Sequence, residues 1–270
     1  MKTATKIVKS IFRKRSAKKG NFKKLPWVQE KILKHQDDHT IKKAAFETFA
    51  VYYKRPYELL HTYREIFERE IYRFTTDRSS PVIVDCGANI GLSVLYYKQL
   101  FPAAHILAFE PDENNFQLLS KNIAANKLVN VTLRKEAIWN KSGKISFSAN
   151  ESEASHISND ESAGNLVDSV RLKDVLETKE KIDLLKIDIE GAEWEVMQDC
   201  AQSLQSVKNL FLEYHGKADD THKLVDLLQI VKDAGFSVYI KMAADQMQHP
   251  FVEKTLPLPY DVQLNLFCYR

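Results

Sequence analysis

Residues 82–91 read Val82-Ile83-Val84-Asp85-Cys86-Gly87-Ala88-Asn89-Ile90-Gly91. An apolar run of strand length ends in an acid and is followed by two glycines within five positions. The chain has only eight glycines, so a pair this close marks a tight turn where a ligand approaches the backbone. A dinucleotide fingerprint, G-x-G-x-x-G, needs glycines where this chain has Asp85 and Ile90. The mismatch has chemical content. A carboxylate at Asp85 repels a pyrophosphate but attracts an ammonium group, which the amino-acid tail of S-adenosylmethionine carries. No G-x-x-x-x-G-K-[ST] stretch is present, so a phosphate-cradling loop is not indicated either.

Working outward, 92–101 reads as a helix and 105–109 as a second strand ending in Phe109-Glu110-Pro111-Asp112. Glu110 lies 19 residues past Gly91, the interval at which a carboxylate accepts hydrogen bonds from ribose hydroxyls. Further strands are expected at 131–133, 144–147, 182–187, 209–213, 236–240 and 262–268, with helices at 113–126, 192–204 and 221–234. Repeated strand–helix units imply a doubly wound, mostly parallel α/β sheet whose ligands sit beyond the carboxyl ends of the strands. Residues 149–168 are polar and read as a mobile binding loop or lid. Upstream, 27–80 reads as a helical extension with an aromatic stripe, Tyr57 to Phe74, of the kind that packs a core. The domain proper is expected over 81–270.

Composition narrows the class. Hydrophobic residues are 44% and charged residues 28% of 270, near globular values, which excludes a disordered, collagenous or membrane-spanning chain. Residues 1–24 carry ten Lys or Arg and no acid, leaving 29 basic and 36 acidic residues elsewhere. A basic arm over 1–26 is expected. It is read either as a solvated tail or, through Ile7, Val8, Ile11 and Phe12, as a peripheral contact with anionic membrane. No signal-peptide core precedes it, and Cys86, Cys200 and Cys268 form no framework, so a cytoplasmic location is expected.

Asp85 to Gly91, Phe109 to Asp112, and Leu185-Lys186-Ile187-Asp188-Ile189-Glu190-Gly191-Ala192-Glu193 together resemble the FkbM family of S-adenosylmethionine-dependent methyltransferases. The D-[IV]-E-G-[AH]-E stretch is the most family-specific part, and the likeness covers about 57–215. It implies a Rossmann-like, class I methyltransferase sheet with a C-terminal antiparallel strand. It also implies O-methylation of a sugar, glycoconjugate or natural-product hydroxyl. By that resemblance Asp85, Gly87, Asn89 and Gly91, with Asp188, line the methionine part of the cofactor. Glu110 takes the ribose, and Glu136 with Ala137 the adenine.

The acceptor side follows from carboxylates at strand ends. Asp188, Glu190 and Glu193 follow one strand, and Glu213 and His215 lie two apart at the end of the next, on one face. Methylating a hydroxyl needs alignment and a base, and an imidazole near its usual ~6.5 suits that task. His215 is therefore the expected general base, with Asp188 and Glu213 as its catalytic partners. Such a cluster can also bind a divalent metal, which is left open with no ligand set assigned. No [DNS]-P-P-[FYW], Pro-Cys or RNP platform is present, so specific nucleic-acid methylation is not expected. A nucleic-acid enzyme recruited by the arm, and a noncatalytic binding module, remain as alternatives to a glycan or small-molecule acceptor.

Overall fold

The computed structural model describes residues 22, 24–148, 156–158, 165–245, 247–254 and 258–270. The readings placed on 1–21 and 23 in the basic arm lie outside the described residues. The stretch 27–80, expected to be helical, is only partly so. Helix α1 (Trp27–Lys34) is followed by strands β1 (Lys42–Ala45) and β2 (Ala50–Tyr53), then by α2 (Pro56–Tyr63) and a π turn, Arg64–Glu68. β1 and β2 pair antiparallel, Ala44 opposite Val51. The departure has a local cause: Val51 and Tyr53 are buried while Ala50 and Tyr52 are less so, an alternation of period two rather than 3.6. Most of the aromatic stripe packs a core, although Tyr57 is exposed. Phe67 stacks on Tyr63 at 5.0 Å and Phe49 at 4.8 Å, and meets Tyr96 edge-on.

From residue 82 the chain alternates as expected. β3 (Val82–Cys86), α3 (Leu92–Leu100), β4 (His105–Phe109), α4 (Glu113–Ala125) and β5 (Val131–Arg134) build one half. A small second sheet interrupts: β6 (Ala137–Trp139), β7 (Gly143–Ser148), β8 (His156–Ser158) and β9 (Asn165–Arg171), in the order β6-β9-β7-β8. β8 and the start of β9 fall inside the expected loop 149–168, so that stretch is in part a sheet; 149–155 and 159–164 lie outside the described residues. The chain then resumes with α5 (Leu172–Glu177), β10 (Leu184–Ile187), α6 (Glu193–Cys200), a 3₁₀ turn (Ala201–Ser206) and β11 (Asn209–Gly216). It ends with α7 (Thr221–Asp233), β12 (Ser237–Ala244), α8 (Pro250–Glu253) and β13 (Val262–Tyr269).

The main sheet runs β12-β13-β11-β10-β3-β4-β5. β3 pairs parallel with β4 on one side and β10 on the other, and β13 is antiparallel to both its neighbours. Successive crossovers leave β3 in opposite directions, so the switch crevice opens at the carboxyl ends of β3 and β10. Alternate residues feed two cores. Ile83 and Leu184 join the N-terminal extension, α3 and α4; Val84, Leu185 and Ile187 join α5, α6 and α7. Burial on both faces explains why these strands are nearly continuous apolar runs. All three cysteines are buried and free.

Candidate active site

The glycine loop is tied to the end of β4. The N–H groups of Gly87 and Ala88 donate to the Phe109 carbonyl at 3.1 and 2.8 Å. The Asn89 N–H donates to Glu110 Oε2 at 2.8 Å, and Ile90 N–H to the Asn89 side chain at 2.7 Å. Gly91 N–H closes on the Ala88 carbonyl at 2.8 Å and begins α3. Every backbone donor from 87 to 91 is thus used within the protein. Gly87 sits at φ 83°, and a Cβ there would lie 1.8 Å from the Asp188 carbonyl oxygen. The two strand ends therefore touch, backbone to backbone.

Glu110 is 6% exposed, with Oε1 also accepting from Asp112 N–H at 3.0 Å. Burial pushes its carboxyl up to about 7, against the lowering effect of those two hydrogen bonds. Beyond β5, Glu136 is held by Arg134, Nε to Oε2 at 2.5 Å, and Ala137 is buried in β6. The Arg134 carbonyl accepts from Glu110 N–H at 3.1 Å, which sets these residues beside the end of β4.

Asp85 is fully buried rather than open to the crevice. Its Oδ2 accepts from Ser93 at 2.5 Å, and its Oδ1 lies 3.3 Å from Lys186 Nζ. Burial raises the Asp85 carboxyl above its ordinary value, opposed chiefly by Lys186. Lys186, 2% exposed, was invisible as a site residue in the sequence. Its Nζ donates to the Gly87 carbonyl at 2.7 Å and lies 3.3 Å from Asp188 Oδ2. Burial alone would lower its pKa, yet Asp188 and Asp85 together hold it above the usual lysine range. One ammonium thus joins the glycine loop to Asp188.

Asp188, Glu213 and His215 do come together: one ligand atom from each lies within 4.8 Å of the others. β10 and β11 pair in parallel with Ile187 opposite Leu212, which sets the two strand ends level. The intervening turn is strained, with Glu190 at φ 56° and Gly191 at φ 98°. A Cβ on Gly191 would meet the Tyr260 hydroxyl at 2.8 Å, and that hydroxyl donates to the Glu190 carbonyl. Tyr260, whose ring lies 4.9 Å from the imidazole, was also missed; no periodicity marks 258–260.

His215, the expected general base, is buried among carboxylates. Its side chain is 2% exposed, with Nδ1 3.1 Å from Glu193 Oε1 and Nε2 3.5 and 3.7 Å from Glu190 and Glu213. Burial would lower the imidazole's pKa, but Glu193, then Glu190 and Glu213, outweigh that and raise it. Glu190 and Glu213 are pushed up in turn, above all by burial.

The sheet order and the acid-lined crevice at its switch point define a Rossmann-like methyltransferase fold. A family model described as the methyltransferase FkbM domain matches residues 85–238, more than half of the chain. The chain belongs to the FkbM family and is a methyltransferase. It is 30% identical to the methyltransferase sdnD of Sordaria araneosa over 65% of this chain and 81% of that one. It is 26% identical to the hexuronic acid methyltransferase AglP of Haloferax volcanii over 64% and 71% of the two chains. It is 25% identical to the 2-O-methyltransferase NoeI of Sinorhizobium fredii over 62% and 74%. Among solved structures, that of M. jannaschii TYW2 in complex with AdoMet superposes with a TM-score of 0.44 at 11% identity, covering 87% of this chain and 88% of that one.

Proposed function

We propose that the protein is an S-adenosylmethionine-dependent O-methyltransferase acting on a sugar hydroxyl of a glycan or small glycosylated molecule. The observation that carries this reading is a juxtaposition. Lys186 Nζ contacts Asp85, the Gly87 carbonyl and Asp188, so the cofactor loop and the acidic cluster meet at one buried cation. The donor set fits the cofactor. Loop N–H groups already spent on Phe109, Glu110 and Asn89 leave none to cradle a pyrophosphate. Glu110, with one N–H on each oxygen, keeps lone pairs for two ribose hydroxyls. Gly87, Asn89, Gly91 and Asp188 would hold the methionine part, with Asp85 buried behind the loop on Lys186, and Glu136 with Ala137 the adenine edge.

When bound, S-adenosylmethionine supplies an electrophilic methyl group on a sulfonium. The chain's own residues then have to hold an acceptor oxygen in line and take its proton. Asp188 and Glu213 face that position, while His215, anchored by Glu193, supplies positive charge beneath it. Proton acceptance is assigned to Asp188, which reaches the cluster with Glu213 and His215 while Lys186 holds its other oxygen at 3.3 Å. Relatives named for hexuronic acid and 2-O methylation support the choice of a sugar hydroxyl.

The test is incubation with S-adenosylmethionine carrying a deuterated methyl group and separate carbohydrate, lipid, protein and RNA fractions. Mass-tagged carbohydrate, with loss of transfer by about 10²–10⁴-fold in Asp188→Asn, is the expected result. Label confined to RNA or protein would overturn the acceptor class.

A further inference from the structure

We infer that Asp188, Glu213 and His215 form a binding site for one divalent cation of the Mn²⁺ and Mg²⁺ class. Three ligand atoms within 4.8 Å of one another suit a single ion at roughly 2.0–2.4 Å from each. The ligands sit on the ends of two paired strands, a rigid base for coordination.

A cluster of acids alone would say little, and the argument lies in the histidine. Nδ1 lies 3.1 Å from Glu193 Oε1. Glu193 is 1% exposed and is itself pinned by the N–H groups of Ile189 at 3.2 Å and Gly191 at 3.1 Å. A carboxylate that accepts from backbone donors takes the imidazole proton's hydrogen bond as well, which fixes that proton on Nδ1. Nε2 lies outside that bond and points toward the other carboxylates. It makes no hydrogen bond among the described residues and faces Glu190 Oε2 at 3.5 Å and Glu213 Oε1 at 3.7 Å. A buried nitrogen facing two carboxylates calls for positive charge between them, from a second ring proton or from an ion in its place. A metal ion supplies that charge, and a buried carboxylate behind the ligating imidazole is the usual way such a ring is oriented.

The other two ligands are also prepared. Lys186 engages Oδ2 of Asp188 at 3.3 Å, which leaves Oδ1 for an ion. Two carboxylates and one imidazole, with no thiolate, favour a hard to borderline cation. The purpose of the ion, to hold the acceptor oxygen, rests on the methyl-transfer reading; the site does not.

Tag-free full-length protein titrated with Mn²⁺ alone, followed by electron paramagnetic resonance, is the test. One bound Mn²⁺ per chain is expected, displaceable by Mg²⁺, with ¹⁴N modulation in the electron spin-echo spectrum. His215→Ala and Asp188→Asn should each weaken it more than tenfold, the former removing the nitrogen signal, and Glu193→Gln by about 10–100-fold. Absence of saturable Mn²⁺ binding by the unaltered protein would overturn the inference and leave a second proton on the imidazole as the cation. So would binding without nitrogen modulation that both ligand variants leave unchanged. Calorimetry with S-adenosylmethionine on the same samples separates the two readings: cofactor binding without Mn²⁺ binding overturns only this one, and the reverse overturns only the proposed function.

Discussion

Glu110 and Lys186 are the residues on which the account is most exposed. Glu110 has a carboxyl raised to about 7 from 4.5, so the folded chain holds its proton more tightly than the unfolded chain between those values. Its contribution to stability is present below about pH 4.5 and lost as pH rises through about 7, by roughly 3 kcal/mol in all. Glu110→Gln should therefore flatten the pH dependence of urea unfolding across that window; identical slopes in both proteins would contradict the assignment. A ribose hydroxyl needs the ionised form, so cofactor affinity should rise about tenfold per pH unit below 7 and level off above it. Calorimetry at pH 5.5, 6.5 and 8 checks this. Lys186→Met leaves the fully buried Asp85 without its partner, and a loss of about 3–5 kcal/mol in unfolding free energy is expected. Glu110 was legible as a candidate, because a carboxylate at a strand end 19 residues past a glycine loop stands out in the sequence. The sequence hid Lys186, because a lysine inside Leu184–Ile187 reads as one more strand position until the neighbouring strands supply its partners.

Among the elements, those with a strong period were legible and those set by their neighbours were not. The strands of the parallel sheet showed as apolar runs bounded by turns, and α7 as a stripe of Leu224, Leu227, Leu228 and Val231. The β1–β2 hairpin was not legible, because its edge is satisfied from far along the chain. Asn122 and Asn126 of α4 bond the backbone of Tyr52 and Ala50, each asparagine donating to the carbonyl and accepting from the N–H. Asn122 also donates to the Ile90 carbonyl at 2.8 Å, so one side chain braces both the hairpin and the glycine loop. Asn122→Leu strands these buried groups, and a loss of about 1–3 kcal/mol for each left unpaired is expected. Thermal unfolding measures it; a change under 1 kcal/mol would show that the hairpin edge finds other partners. The carboxylate partners of His215 were not legible, since Glu193 and Glu190 close on it only once the 188–193 turn folds back.

At the scale of the whole molecule, the N-terminal extension shares its core with α3, α4 and one sheet face, so it is integral to the fold that holds the site. No helix among the described residues is long and apolar enough to cross a membrane. The ten basic residues of 1–24 leave two readings that vesicle flotation separates. A membrane-contacting arm binds anionic vesicles in a salt-sensitive way that deletion of 1–24 abolishes, whereas equal binding by both forms is the behaviour of a solvated tail. The account as a whole stands on one cofactor occupying the β3–β10 crevice. Isothermal titration of the full-length chain with S-adenosylmethionine and, separately, NAD⁺ tests it most directly. Saturable binding of S-adenosylmethionine is expected, with no measurable heat from NAD⁺. Glu110→Ala should weaken it by about 1.5–3 kcal/mol per lost hydrogen bond. Tight S-adenosylmethionine binding unchanged by Glu110→Ala, or preferential binding of NAD⁺, would contradict it.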